Sequence, residues 1–336
     1  MANFKAMLCV SLVMYLSYVV VGQMNPNIGV CYGLLGDNIP SPKQVVNLYK
    51  KYGIQKMRIY QPYPNVLEAL RHSGIHLTLG TLNQDIPVLA SSVAAAKSWF
   101  NTNVKPYIND VDIQYINVGN EVVPGQYSES IVPAMQNLQK VLKKNKLRTK
   151  VTTVVHSGVL GSSYPPSAGQ FSEAARPYMR QIIQYLASRK NPILVNVYPY
   201  FPYASQPKDI GLEYAQFTTN KTVVQDGSLS YSNLLDAMLD TFYWAMEKEG
   251  VYNVKIIISE SGWPHAGNGN FTTPELAATY NRNFIKHISN ISTPKRPNAK
   301  LEGYLFDIID EDQKAPGVEQ NWGLFNSSMQ PNYSLL

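Results

Sequence analysis

The chain has 336 residues, 45% hydrophobic and 15% charged, a balance that supports a large core and excludes wholesale disorder. Its formal net charge of +6 is spread along the chain, with no basic stripe or recognisable nucleic-acid module, which argues against a nucleic-acid partner. Two cysteines and no Cys-x-x-Cys leave neither a disulfide framework nor a cysteine metal site.

Lys5 precedes an apolar run over residues 6–21 that is short for a membrane span and ends in the modest side chains Val20-Val21-Gly22. Residues 1–22 therefore read as a cleaved export signal and residues 23–336 as the mature chain. Cys9 would leave with the signal. Cys31, inside the strand-like run 28–32, reads as a buried, inert thiol. Sequons at Asn220, Asn270, Asn290, Asn326 and Asn332 fit a secretory route.

Strand-like runs at 28–32, 56–60, 76–81, 113–118, 150–155, 193–198, 254–259 and 301–306 alternate with helix-like runs, which predicts a parallel sheet with crossover helices. The helices are expected at 43–52, 88–108, 131–144, 177–188, 232–249 and 274–288. Ser41-Pro42 and Thr273-Pro274 pair a capping hydroxyl with a proline at the first helical position. Eight strands are the number that closes a (β/α)8 TIM barrel, and no long Ser/Gly/Pro tract divides the chain into smaller domains. A doubly wound open sheet is the alternative, but no Gly-rich phosphate fingerprint follows the first strand.

Barrel chemistry sits at strand C-termini, and two glutamates stand there: Glu121 in Asn117-Val118-Gly119-Asn120-Glu121 and Glu260 in Ser259-Glu260-Ser261-Gly262-Trp263-Pro264. They follow strands four and seven, whose ends face each other across the mouth of the barrel. A carboxyl pair of this kind suits sugar-bond cleavage, in which one group protonates the leaving oxygen and the other attacks the anomeric carbon or activates water. Asn120, beside the first glutamate, is placed to bond the hydroxyl next to the reacting carbon. Other chemistries fit poorly. His72 and His76 are separated by Ser73-Gly74, which breaks a shared helical face, and the serines flanking Glu260 lack a Gly-x-Ser-x-Gly context. No cofactor and no metal are expected.

Ile28-Gly29-Val30-Cys31-Tyr32-Gly33, Met57-Arg58-Ile59-Tyr60, Asn196-Val197-Tyr198-Pro199-Tyr200-Phe201 and both glutamate motifs resemble the plant β-1,3-glucanases of glycoside hydrolase family seventeen. The resemblance runs from Ile28 to about Tyr333, and Glu311, Lys314 and Glu319 fall in the family's Glu-x-x-Lys…Glu pattern. It implies a (β/α)8 barrel with a long substrate groove, Glu121 as general acid/base, Glu260 as nucleophile and retention of anomeric configuration. Glu121 must then start each cycle protonated, favoured by partial burial or by the charge of Glu260, while Lys314 would favour the ionised form of Glu260. Tyr60, Tyr198, Tyr200, Phe201, Tyr203 and Trp263 are candidate rings for stacking sugars, and Asn196 is a candidate polar contact. At strand eight the chain departs from the family's usual Phe-Ala-x-Phe: Phe306-Asp307-Ile308-Ile309 adds a carboxylate near the site.

The expected activity is endo-hydrolysis of β-1,3-glucan, in defence or wall remodelling, with a mixed-linkage glucanase or a transglycosylase as close alternatives and a catalytically silent glucan-binding protein as the distant one. The expected partner is a polysaccharide. A monomer with no membrane anchor, secreted to the apoplast or cell wall or held in the vacuole, completes the expectation.

Overall fold

The computed structural model describes residues 24–335, so the export signal expected at residues 1–22 lies outside the described residues. Eight parallel strands close into one barrel: β1 (Ile28–Cys31), β2 (Lys56–Ile59), β3 (His76–Gly80), β4 (Asp112–Asn120), β5 (Lys150–His156), β6 (Ile193–Asn196), β7 (Ile256–Ser261) and β8 (Gly303–Leu305). The ring is completed where β1 pairs with β8 through Ile28↔Gly303 and Val30↔Leu305. Closure rules out the open doubly wound sheet. Strands buried on both faces need apolar side chains throughout, which is why these segments read as short continuous runs.

Two strands reach further than the sequence pattern indicates. β4 continues through Asn120 and β7 through Ser261, so Glu260 lies within its strand and not beyond it. Both stretches carry register shifts, between Asn117 and Asn120 against β5 and between Ile258 and Glu260 against β6. Such bulges re-aim side chains at the top of a strand.

The crossover helices are α1 (Pro42–Lys51), α2 (Pro64–Leu70), α3 (Ile86–Ser91), α4 (Val93–Asn103), α5 (Ile131–Lys144), α6 (Arg176–Arg189), α7 (Tyr200–Ser205), α8 (Leu212–Ala215), α9 (Leu234–Lys248) and α10 (Pro274–Asn290). The single helix expected over 88–108 is two. Ser92 is extended at φ −166°, and its hydroxyl accepts the Ala95 N–H, so it ends one helix and caps the next. Asn233 and Thr273 cap α9 and α10 in the same way. Two antiparallel ribbons, Leu160–Ser162 with Gln170–Phe171 and Val224–Asp226 with Leu229–Tyr231, were not anticipated and elaborate the loops after β5 and β6.

Cys31 is fully buried, and its thiol donates to the Ser259 carbonyl at 3.3 Å. Burial raises its pKa far above the ordinary thiol value, as an inert cysteine requires. At the top of β3 the backbone of Gly80 runs so close to β2 that an added Cβ would lie 2.3 Å from the Tyr60 carbonyl oxygen. Gly80→Ala should therefore cost about 1–3 kcal/mol of stability by forcing the backbones apart. Urea unfolding measures this, and an unchanged midpoint would show that the close approach is not a constraint.

Candidate active site

Glu121 is delivered by a turn that only certain residues accept. Gly119 has φ +72°, and a Cβ there would meet Ile86 Cδ1 at 2.7 Å; Glu121 itself is left-handed at φ +56°. Asn83 secures the turn, accepting the Asn120 N–H at 2.8 Å and donating to the Asn120 carbonyl at 3.1 Å. A non-glycine residue at positive φ next to a groove is the sort of local strain that functional sites retain.

Glu260 is 7% exposed and receives three donors. Arg58 Nη1 approaches Oε1 at 2.5 Å, the Tyr60 hydroxyl donates to the same oxygen at 2.7 Å, and the Tyr198 hydroxyl donates to Oε2 at 2.8 Å. Burial, with Glu260 and Cys31 nearby, raises both tyrosines well above their ordinary pKa, so they keep the protons they donate. Arg58 is wholly buried; its Nη2 reaches Asn120 Oδ1 at 2.7 Å, and its guanidinium lies over the Tyr60 ring at 4.6 Å.

The two carboxyl groups are joined through Asn196. Its amide nitrogen donates to Glu121 Oε1 at 2.7 Å, and its oxygen accepts from Ser259 Oγ at 2.7 Å and from Arg58 Nη1 at 3.4 Å. Glu121 is exposed to the groove, so of the two expected influences on its proton, burial and the charge of Glu260, the first is not provided. The Oδ1 of Asn120 accepts from Arg58 and, at 3.3 Å, from Asn196, which leaves its NH2 turned to other uses.

A groove of about 1340 Å³ crosses the mouth, lined by Tyr60, Asn120, Glu121, Asn196, Tyr198, Phe201, Glu260, Glu311, Lys314 and Glu319 among others. Ten of the thirteen candidate residues thus share one site, and Tyr200, Tyr203 and Trp263 are the three outside it. Tyr200 and Trp263 are 2% and 0% exposed and pack against each other at 5.2 Å behind the wall. Trp263 donates its indole N–H to the Phe271 carbonyl, and Tyr203 packs on its ring, so these aromatics are core and not sugar platforms. Phe306 and Trp322 do border the groove, beside Tyr198 at 6.4 and 5.0 Å, but are themselves only 6% and 3% exposed. Nothing local in the sequence marks Trp322.

Two cations stand near the carboxyl groups, one in contact with Glu260 and one further off. Lys314 lies 3.1 Å from Glu311 and 4.2 Å from the Phe306 ring centroid; Arg58, in the quoted second-strand motif, is what touches Glu260. Burial works against the charge of Lys314, but Glu311, Asp307 and, more weakly, Glu260 outweigh it and raise its pKa, so Lys314 favours the ionised form of Glu260 from a distance as expected.

Three carboxyl side chains from the segment after β8 take alternate amides of the segment after β1. Asp307 accepts from Gly33 at 2.9 Å, Glu311 from Leu35 at 2.8 Å and Asp312 from Asp37 at 3.2 Å. Asp307 also exchanges backbone bonds with Trp322 and Leu324, so this strap fixes the wall that Phe306 and Trp322 present.

Opposed carboxyl groups in such a groove, one buried among donors and one open, place the chain among the glycoside hydrolases. It belongs to the glycosyl hydrolases family 17, whose family model matches residues 28–336. A protein of Arabidopsis thaliana named probable glucan endo-1,3-beta-glucosidase is 53% identical over 312 residues, 92% of this chain and 90% of that one. A glucan endo-1,3-beta-glucosidase of Vitis vinifera is 44% identical over 333 residues, 96% of each. A solved structure, from a study of two plant beta-glucan endohydrolases with distinct substrate specificities, superposes with a TM-score of 0.88 at 42% identity, covering 91% of this chain and 99% of that one.

Arg58→Lys keeps a charge but loses the fork that spans Glu260 and Asn120, so catalytic turnover should fall by about 10²-fold or more. Steady-state kinetics on laminarin would check this; a loss of less than threefold would mean the fork is dispensable.

Asp307 generates a pH prediction. Burial and the neighbouring Glu311 raise its pKa well above the ordinary carboxyl value. A raised folded-state pKa means the folded chain holds the proton more tightly. The contribution is most favourable below the unfolded value, near about pH 4, and is lost as pH rises towards the folded value. Asp307→Ala also removes two amide bonds at every pH, so it should be destabilised relative to the parent at pH 4 and less so at pH 7. Unfolding free energies at the two pH values decide it: a gap that widens with pH would reverse the sign.

Proposed function

We propose that the protein is a retaining endo-β-1,3-glucanase in which Glu260 is the nucleophile and Glu121 the general acid/base. The observation that carries this reading is the unequal dress of the two carboxyl groups. Glu260 accepts from a guanidinium and two phenols, a setting for an anion aimed by its strand. Glu121 has one oxygen held by Asn196 and faces the groove, so its second oxygen is free to pass a proton.

In the first step Glu260 attacks the anomeric carbon while Glu121 gives its proton to the departing glycosidic oxygen, which leaves a glycosyl ester on Glu260 and an ionised Glu121. In the second, Glu121 takes a proton from water as that water attacks the same carbon, and Glu260 leaves as carboxylate. As bonding to Glu260 forms, its charge is spent, and Arg58 with the two tyrosine donors is placed to take the charge back when it departs. The NH2 of Asn120 is positioned to bond the neighbouring sugar hydroxyl, while Tyr60, Tyr198 and Phe201 offer ring surface along the groove, backed by the buried rings of Phe306 and Trp322.

The linkage assignment rests on relatives named glucan endo-1,3-beta-glucosidases, and the substrate follows as a polysaccharide of the callose or fungal-wall type. Export by way of residues 1–22 and action as a monomer belong to the same reading. Among the described residues no helix is long and apolar enough to cross a membrane.

Timed hydrolysis of laminarin, callose and barley-type glucan, with anomers followed by proton NMR, tests the whole reading. Laminarin should yield mixed oligosaccharides early and the β-anomer first. Glu121→Gln should lose about 10²–10⁴-fold in turnover and Glu260→Gln at least as much. Faster cutting of barley-type glucan would favour the mixed-linkage alternative. Binding without release of reducing ends, unaffected by Glu260→Gln, would mean a glucan-binding protein.

A further inference from the structure

At the other end of the barrel, far from the two glutamates in chain direction, a second groove of about 690 Å³ lies along the lead-ins to β4 and β5. Residues 108–115 form one wall and residues 147–150 the other, and the Thr149 hydroxyl ties them by donating to the Ile113 carbonyl at 2.8 Å. Amide groups of Asn109 and Gln114, the half-buried ring of Tyr115 and the cations Arg148 and Lys150 line it. In an extended chain, residues two apart point the same way roughly 7 Å apart, so Arg148 and Lys150 form a short cationic row.

Three more lysines, Lys143, Lys144 and Lys146, precede that row in the chain, at the end of α5 and in the turn that follows, outside the residues that line the groove. All five cations are exposed, and none makes an ion pair or a side-chain hydrogen bond among the described residues. The opposite wall carries two acidic groups, Asp110 and Asp112. Asp110 is paired with Arg71 and lies 3.6 Å from His72, and Asp112 is 2.6 Å from His76. Asp110 has a cation of its own in Arg71, so the exposed cations in and beside the groove outnumber the one acidic group, Asp112, left facing them.

We propose that this groove binds a linear, carboxylate-bearing oligosaccharide of the uronate type. Its volume falls in the range that encloses a ligand of a few rings. The guanidinium of Arg148 matches a carboxylate fork, amides suit sugar hydroxyls, and a single ring suits one pyranose face. A planar bilayer does not fit a concave groove, and a nucleic acid strand would ask for several stacking rings where one is present. With catalytic carboxylates at the opposite strand ends, a chain held here leaves the substrate groove open. The site would concentrate the enzyme on an acidic matrix while it cuts a neutral glucan.

Affinity electrophoresis through polygalacturonate, with the fully methyl-esterified polymer as the uncharged control, tests the proposal. The wild-type protein should be retarded by the charged polymer alone. Arg148→Glu with Lys150→Glu should weaken that binding about tenfold or more, as should the milder Arg148→Gln with Lys150→Gln in smaller measure. A charge-matched control, Lys43→Glu with Lys97→Glu, should bind as the parent does, and laminarin turnover should be unchanged in all three variants. The proposal falls if the wild type is not retarded, if the control loses as much as the groove variant, or if phosphatidylserine vesicles or single-stranded DNA bind equally well at the same salt. Because glucan hydrolysis is read separately, failure here leaves the catalytic reading standing, and the reverse also holds.

Discussion

The ion pair between Arg58 and Glu260 is the contact around which this barrel is organised. A guanidinium with no exposed surface is expensive to desolvate, and it is tolerated only where acceptors converge on it. Here they come from separate strands: Glu260 and the Ser259 carbonyl from β7, Asn196 from β6 and Asn120 from β4, while Arg58 itself rises from β2. No two neighbouring strands can satisfy it. The ring has to close before the arginine has its partners, so stability of the closed barrel and assembly of the candidate site are the same event. The Nε of Arg58, buried without a partner, shows that even the closed ring does not satisfy it fully.

The two glutamates reach this hub through irregularities that a regular strand would not provide. β4 slips register before Asn120, and Gly119 and Glu121 both turn to positive φ; β7 slips before Glu260. A bulge lets a strand end present a side chain sideways into the groove and not along the pleat. Asn196 then links the results, since one amide touches Glu121, Asn120, Ser259 and Arg58. Changing the position of one carboxyl group would pull on the other through that amide.

These irregularities also explain what could be read in advance. Strand number, barrel class and the glutamate pair were legible, because apolar runs and short motifs survive in sequence as local signals. The extension of β4 and β7 was not, since a bulge is decided by neighbouring strands. The break at Ser92 was visible only as two serines in a helix-like stretch, and the cap geometry that makes it a boundary is a backbone fact. Tyr200 and Trp263 misled because aromatic residues next to a catalytic motif look alike whether they face substrate or core. Arg58 had been quoted within a strand motif, yet a cation inside an apolar strand announces only that it must have partners, and those partners lie 62 to 202 residues away. Trp322 arrives from still further along the chain, carried to the groove by the strap after β8.

That strap gives the groove its asymmetry. On the side of β8 the wall is held by carboxyl-to-amide bonds from Asp307, Glu311 and Asp312 to Gly33, Leu35 and Asp37, so its position is fixed electrostatically. Two of these carboxyl groups, Asp307 and Glu311, are buried at 1% and 3% exposure, with Lys314 as the cation close by. Burial and the neighbouring Glu311 raise the pKa of Asp307, and Lys314 offsets this only in part. A relative with alanine at this position would lack the clasp on Gly33. The wall carrying Phe306 and Trp322 would then depend on packing, on the backbone bonds of residue 307 to Trp322 and Leu324, and on Glu311 and Asp312. The carboxyl group at 307 therefore trades some stability at neutral pH for a groove wall held by hydrogen bonds, and the benefit falls on binding of the chain and not on the bond-breaking carboxyl groups themselves.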